Sequence, residues 1–100
     1  MIELRQSPIF AAWLGGLKDK ATRARIAARI QRLAFGHFGD VRPVGEGISE
    51  LRIHHGPGWR VYFIQRGPVL IVLLCGGDKA SQDRDIAHAY RLARSIEEDR

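Results

Sequence analysis

Seven consecutive apolar residues, Val69 to Cys75, form the longest uninterrupted hydrophobic run of the chain, and they restrict the fold more than any other feature. A helix that crosses a bilayer needs about 20 such residues, so this run cannot be a membrane span. A strand with one wet face would alternate apolar and polar side chains. A strand without alternation is covered on both faces, which predicts a place in the middle of a sheet. Gly67-Pro68 and Gly76-Gly77 bracket the run with turn chemistry.

The rest of the chain can be arranged around that strand. Ile2 and Leu4 alternate with Glu3 and Arg5, the period of a half-buried strand. Ser7-Pro8 then offers an N-cap and a first helical residue. Phe10, Trp13, Leu14 and Leu17 recur at helical spacing between Ile9 and Lys18. Asp19 caps a second helix, striped by Ile26, Ile30 and Leu33 and ended by Gly36, with Arg23, Arg25, Arg29 and Arg32 mostly off the stripe. The short Lys18-Asp19-Lys20 connection predicts an antiparallel helical hairpin with a basic outer surface.

Beyond Gly36 the period becomes that of strands, over Val41 to Val44, Ile48 to His54 and Trp59 to Ile64, with turns at Gly45-Glu46-Gly47 and Gly56-Pro57-Gly58. After Gly76-Gly77 a last helix is expected, with Ser81 as its cap and Asp83 in its first turn. Its inner side would carry Ile86, Ala89, Tyr90, Ala93 and Ile96, and its tail, Glu97 to Arg100, should fray. The order is β-α-α-β-β-β-β-α, an α+β class domain with a curved, mainly antiparallel sheet, and residues 1–100 are too few for a second domain.

Sixteen basic residues against eleven acidic ones give a formal charge of +5, a field that favours polyanions. A single cysteine, Cys75, excludes an intramolecular disulfide and reads as a small buried hydrophobe in a reducing compartment rather than as a catalytic thiol. MIELRQSP lacks the apolar core of a signal peptide, so a cytoplasmic location with no membrane contact is expected. His37, His54, His55 and His88 have no metal-ligand spacing, and neither a nucleophile elbow nor a dinucleotide fingerprint is present. No bound metal and no cofactor is expected.

Two strands concentrate the chemistry. Glu50, Arg52 and His54 share one strand face, and Arg60 and Tyr62 share a face of the next. An odd-length loop at Gly56-Pro57-Gly58 would set Arg60 opposite His54 and Tyr62 opposite Arg52. The same pattern would equally serve a solvated polar face carrying a surface ion pair from Glu50 to Arg52 or Arg60. Gly76-Gly77-Asp78-Lys79, between the buried strand and the last helix, reads either as a phosphate-accepting loop with Lys79 as its cation or as a plain strand-to-helix turn.

Taken together, Phe10-x-x-Trp13-Leu14, the arginine-bearing second helix ending in Gly36, Glu50-Leu51-Arg52-Ile53, Gly58-Trp59-Arg60-Val61-Tyr62 and Gly76-Gly77-Asp78-Lys79-x-x-Gln82-x-x-Asp85-Ile86 resemble a toxin of the RelE/ParE superfamily. The likeness is strongest to the HigB-like addiction-module killer proteins and runs over nearly the whole chain. It implies a RelE-like fold and a cognate antitoxin, often a helix-turn-helix, HigA-like protein. It also implies messenger RNA cleavage on the ribosome without a metal or small-molecule cofactor, or, in the ParE branch, poisoning of DNA gyrase.

Arg60 occupies the position of a nuclease-site arginine of this family, and Lys79 that of a basic residue after the last strand. Arg52 matches the family's basic cluster in kind. In the last helix, where RelE-like nucleases can carry a tyrosine or histidine, this sequence has Gln82 and Asp85. Cleavage of this type needs a base at the 2′-hydroxyl, cations at the phosphorane and an acid at the 5′-oxygen. Arg60 and Lys79 suit the charge, Arg52 supports them, and His54 is the first choice for proton transfer, ahead of Glu50 and Asp85. Arg29, Arg32, Tyr62 and Gln82 are expected to contact RNA. Besides the gyrase branch, an inactive module that only binds its antitoxin and assists repression would share these features.

Overall fold

The apolar run does become an interior strand. A computed structural model describes residues 1–98, in the order β1 (Glu3–Gln6), α1 (Pro8–Gly15), α2 (Lys20–Ala34), β2 (Val41–Gly45), β3 (Ile48–Ile53), β4 (Trp59–Arg66), β5 (Leu70–Asp78), a 3₁₀ turn (Lys79–Ser81) and α3 (Gln82–Glu98). The sheet runs β1-β5-β4-β3-β2, with β1 parallel to β5 and the other pairs antiparallel. The domain is therefore α+β, with a mixed five-stranded sheet and three helices.

Both faces of β5 are covered. Ile71 and Leu73 join Leu51, Val61 and Phe63 under Phe10 of α1 and Ile26, Ile30 and Leu33 of α2. Val72, Leu74 and Cys75 join Tyr62 and Ile64 under Ala89 and Ala93 of α3. A register shift explains how the neighbours Leu74 and Cys75 reach the same layer. Tyr62 lies opposite Cys75 while Phe63 lies opposite Leu73, so Leu74 is the extra residue of a bulge.

Local chemistry places the helices. Ser7 Oγ accepts from Phe10 N at 3.0 Å and donates to Leu74 O at 2.7 Å, capping α1 and tying it to the sheet. Asp19 caps α2 through Ala21 N, and Gly36, at φ 80°, follows its end. Glu46 and Gly47, both at positive φ, form the tight β2–β3 turn.

Several boundaries differ from the sequence expectation. The first helix stops at Gly15 rather than Lys18, because Gly15-Gly16 interrupts it. β4 runs on to Arg66. The last helix is preceded by a 3₁₀ turn capped by Asp78, whose carboxylate accepts from Ser81 N while Ser81 Oγ accepts from Asp78 N. Helical backbone is described through Glu98, and Asp99 and Arg100, the end of the tail expected to fray, lie outside the described residues. No helix is long and apolar enough to cross a membrane among the described residues.

Candidate functional site

β3 and β4 turn Glu50, Arg52, Arg60 and Tyr62 toward the start of α3. Their register is Arg52 opposite Arg60 and Glu50 opposite Tyr62, two residues from the expected one. The five-residue connection from His54 to Gly58 causes the difference: β3 ends at Ile53, opposite Trp59, and His54 leaves the sheet. A shift of two preserves the face, so the same side chains still meet.

They meet around a buried carboxylate. Glu50 is 1% exposed, which excludes the solvated polar face as a description of this cluster. Its Oε1 lies 2.8 Å from Arg52 Nε and 3.8 Å from Arg60 Nε. Its Oε2 accepts from Tyr62 Oη at 3.1 Å and from Gln82 Nε2 at 2.8 Å. Burial alone would raise the pKa of Glu50, but the hydrogen bonds from Arg52, Gln82 and Tyr62 outweigh it and hold the carboxyl below its ordinary value. Glu50 is thus an ionised anchor that holds the Arg52 guanidinium by a hydrogen bond and pairs in charge with the buried Arg60, whose Nε it does not reach, with no open route to act as a proton acceptor for a ligand.

The cations continue outward. Arg52, His54, His55, Arg60 and Lys79 line an open cavity of about 500 Å³ beside the Gly56-Pro57-Gly58 bend. Arg52 and His54 also line a second groove of about 750 Å³, whose far wall is α2 with Arg25, Arg29 and Arg32. The two depressions meet at Arg52 and His54. Coulomb attraction in such a concave basic surface favours a polyanion, and the fork of Arg52, held by Glu50, is pre-oriented for bidentate contact with a phosphate.

Other expected site residues are placed differently. Tyr62 is 0% exposed, so it cannot meet an RNA base, and its hydroxyl pKa is pushed far up by burial and by the charge of Glu50. Gln82 spends its amide on Glu50. Asp85 is buried, accepting from Ser81 Oγ at 2.5 Å. Arg29 is half-buried and donates to Phe38 O at 3.4 Å, whereas Arg32 is exposed.

Gly76 and Gly77 belong to β5 rather than to a loop. A Cβ on Gly76 would overlap the Trp13 ring, and one on Gly77 would overlap the Asp85 carboxylate. The paired glycines therefore make room for protein side chains, which removes the phosphate-loop reading of Gly76-Gly77. Lys79, just beyond, keeps its place at the cavity.

An uncharacterized protein of Haemophilus influenzae (strain ATCC 51907 / DSM 11121 / KW20 / Rd) is 48% identical over 95 residues, covering 95% of this chain and 96% of the relative. The chain belongs to the family of that Haemophilus protein. No family model matches it. The shared span takes in nearly the whole length of both family members, sheet and helices together.

In this member the sequence reading overlooked Asp40, whose Oδ2 lies 2.6 Å from His54 Nε2. It also overlooked His55, on the cavity wall. Asp40 sits in the connection before β2, 14 positions from His54, and no periodic pattern links the two. His55 falls one position beyond the strand expected to end at His54, so no alternation within that strand assigned it to a face. β3 ends at Ile53, so both histidines belong to the connection that follows. Among the described residues, no group of three or more His, Cys, Asp or Glu side chains is gathered as a metal-ligand set.

Proposed function

We propose that this chain is the toxin of a type II toxin-antitoxin system, with a RelE-like fold and the activity of a ribosome-dependent messenger RNA endoribonuclease. One observation carries the reading: Arg52, Arg60, Lys79 and His54 line a single open cavity, which unites three cations with an imidazole. The sequence likeness to HigB-like toxins supplies the direction, and the basic groove along α2 supports a polyanionic substrate.

The chemistry follows from those groups. His54 takes the proton of a ribose 2′-hydroxyl, and the oxygen forms a bond to the adjacent phosphorus. Arg60, Arg52 and Lys79 stabilise the charge that develops on the phosphorane oxygens. The bond from phosphorus to the 5′-oxygen then breaks, that oxygen takes a proton from water, and the hydroxide so formed takes back the proton held by His54. The products are a 2′,3′-cyclic phosphate and a free 5′-hydroxyl, with no oxidant or metal in the balance. A cognate antitoxin, of the helix-turn-helix, HigA-like kind, would silence the activity by covering the basic cavity. The cytoplasm, where messengers are translated, is the compartment this reading requires.

The test is inducible expression of the wild type and of Arg60→Ala, following translation, replication and messenger 5′-ends in the first minutes. Translation arrest with new cuts inside translated frames, absent for Arg60→Ala, is the expected result. Replication arrest with intact messengers would replace the nuclease with a gyrase poison. Unimpaired growth on wild-type expression would leave an antitoxin-binding module without toxicity.

A further inference from the structure

We infer that Asp40 is a positioning residue for His54: it holds the Nε2 side of the ring and leaves Nδ1 facing the basic cavity as the proton acceptor. This rests on the nuclease reading of the site and extends it to a residue outside both strands that carry the cations.

Three observations converge. First, His54 Nε2 and Asp40 Oδ2 are 2.6 Å apart, within the range of a charge-assisted hydrogen bond. A carboxylate at one ring nitrogen selects the tautomer with the proton on that nitrogen and frees the other for chemistry. Second, Asp40 is tied to the site by backbone, since Arg52 N donates to Asp40 O at 2.9 Å. The main chain that bears the carboxylate is thereby fixed relative to β3, and His54 follows β3 directly. Third, Arg29 braces the same connection. It donates to Phe38 O, and its guanidinium lies against Gly39, where a Cβ would sit 3.0 Å from Nη1. Gly39 has φ 67°, a conformation suited to glycine, and a side chain there would push Arg29 away.

The pairing also has the exposure that a proton acceptor needs. The His54 side chain is 74% exposed and lines the cavity shared with Arg60 and Lys79, while Asp40 lies on the α2 side of the same ring. An exposed ion pair stabilises a fold very little, so stability gives no reason for this contact. Orientation of the ring does.

The experiment compares wild type, Asp40→Asn, Asp40→Glu, His54→Ala and the Asp40→Asn/His54→Ala double variant, with cleavage of a translated messenger on purified ribosomes as one readout. The other is the long-range ¹H–¹⁵N spectrum of the His54 imidazole in the isolated protein. In the wild type the neutral ring should carry its proton on Nε2, and Asp40→Asn should give a mixture of tautomers. Asp40→Asn should lower kcat about 10- to 100-fold with KM nearly unchanged, as loss of an orienting partner does. Asp40→Glu should recover part of the rate, and the double variant should be no slower than His54→Ala. A His54 spectrum identical in wild type and Asp40→Asn overturns the inference, as does full activity in Asp40→Asn when His54→Ala is inactive. If the wild type cuts no messenger, the nuclease reading alone fails, and the tautomer comparison still decides whether Asp40 orients the ring.

Discussion

Tyr62 donates its hydroxyl to Glu50 at 3.1 Å from the strand directly opposite, and both side chains are sealed beneath the first turn of α3. The pair separates the functions of neighbouring residues on one sheet face. Tyr62 and Glu50 build the floor, Arg60 is buried beside them at 6% exposure, and Arg52, next along β3, carries its charge at the more open edge. Tyr62→Phe removes one hydrogen bond to a buried carboxylate and keeps the ring's packing. It should cost about 1–2 kcal/mol in urea unfolding and leave cleavage intact at temperatures where the variant is folded. A loss of cleavage without a loss of stability would instead put Tyr62 in contact with RNA.

Glu50→Gln is expected to be more damaging. It keeps the shape but leaves two guanidinium groups without their counter-ion, and removal of one partner of a buried pair costs roughly 3 kcal/mol. The pH dependence has a definite sign. The folded pKa of Glu50 is held below its ordinary value of 4.5. Its stabilisation is therefore present above about pH 4.5 and is lost as pH falls through the folded value. Wild-type stability should decline over that acid range, and Glu50→Gln should lack that part of the decline. Parallel curves for the two proteins would mean that Glu50 is not ionised in the fold.

Gly77→Ala tests the altered role of the paired glycines. A Cβ at this position would overlap the Asp85 carboxylate and lie 2.7 Å from Ser81 Oγ, so the start of α3 must move. Overpacking of this kind typically costs about 1–3 kcal/mol, with a matching fall in melting temperature. Gly76→Ala should do similar harm through Trp13. Wild-type melting temperatures with reduced RNA affinity would restore the phosphate-loop reading.

The lone thiol should be inert. Cys75 is 3% exposed, and burial, aided by the negative charge of Asp85, pushes its pKa up to about 12. The thiolate is the reactive form, so an alkylating reagent at pH 8 should label Cys75 only as fast as the chain opens. Rapid labelling of the native protein would contradict the packing of β5 against α3.

The fold was legible wherever a pattern was local and periodic. The uninterrupted run at Val69 predicts an interior strand, and Ser7, Asp19 and Gly36 announce helix ends through their own side chains or lack of one. The site was legible only by face. Alternation along β3 and β4 brings Glu50, Arg52, Arg60 and Tyr62 together under any even register, but the depth of that cluster depends on α3, which begins 20 residues after Tyr62. Hence Tyr62 and Glu50 read as surface groups until Gln82 closes over them. His54 was misplaced because a strand's end is decided by a turn, here one with Gly56 and Gly58 both at positive φ. Asp40 left no periodic trace, since a connection meets a loop through tertiary geometry alone.

The parallel pairing of β1 with β5 has a consequence for the order in which the molecule is made. Glu3 lies beside Leu70, and Ser7 N donates to Leu73 O at 2.9 Å, so the first strand leaves the ribosome long before its neighbour is translated. Contacts between such distant segments form late and slowly. Gln82, the lid of the Glu50 cluster, is decoded later still. A chain halted anywhere before α3 therefore already holds Glu50 beside its arginines but lacks the amide that seals the carboxylate, and the buried form of the cluster waits for Gln82.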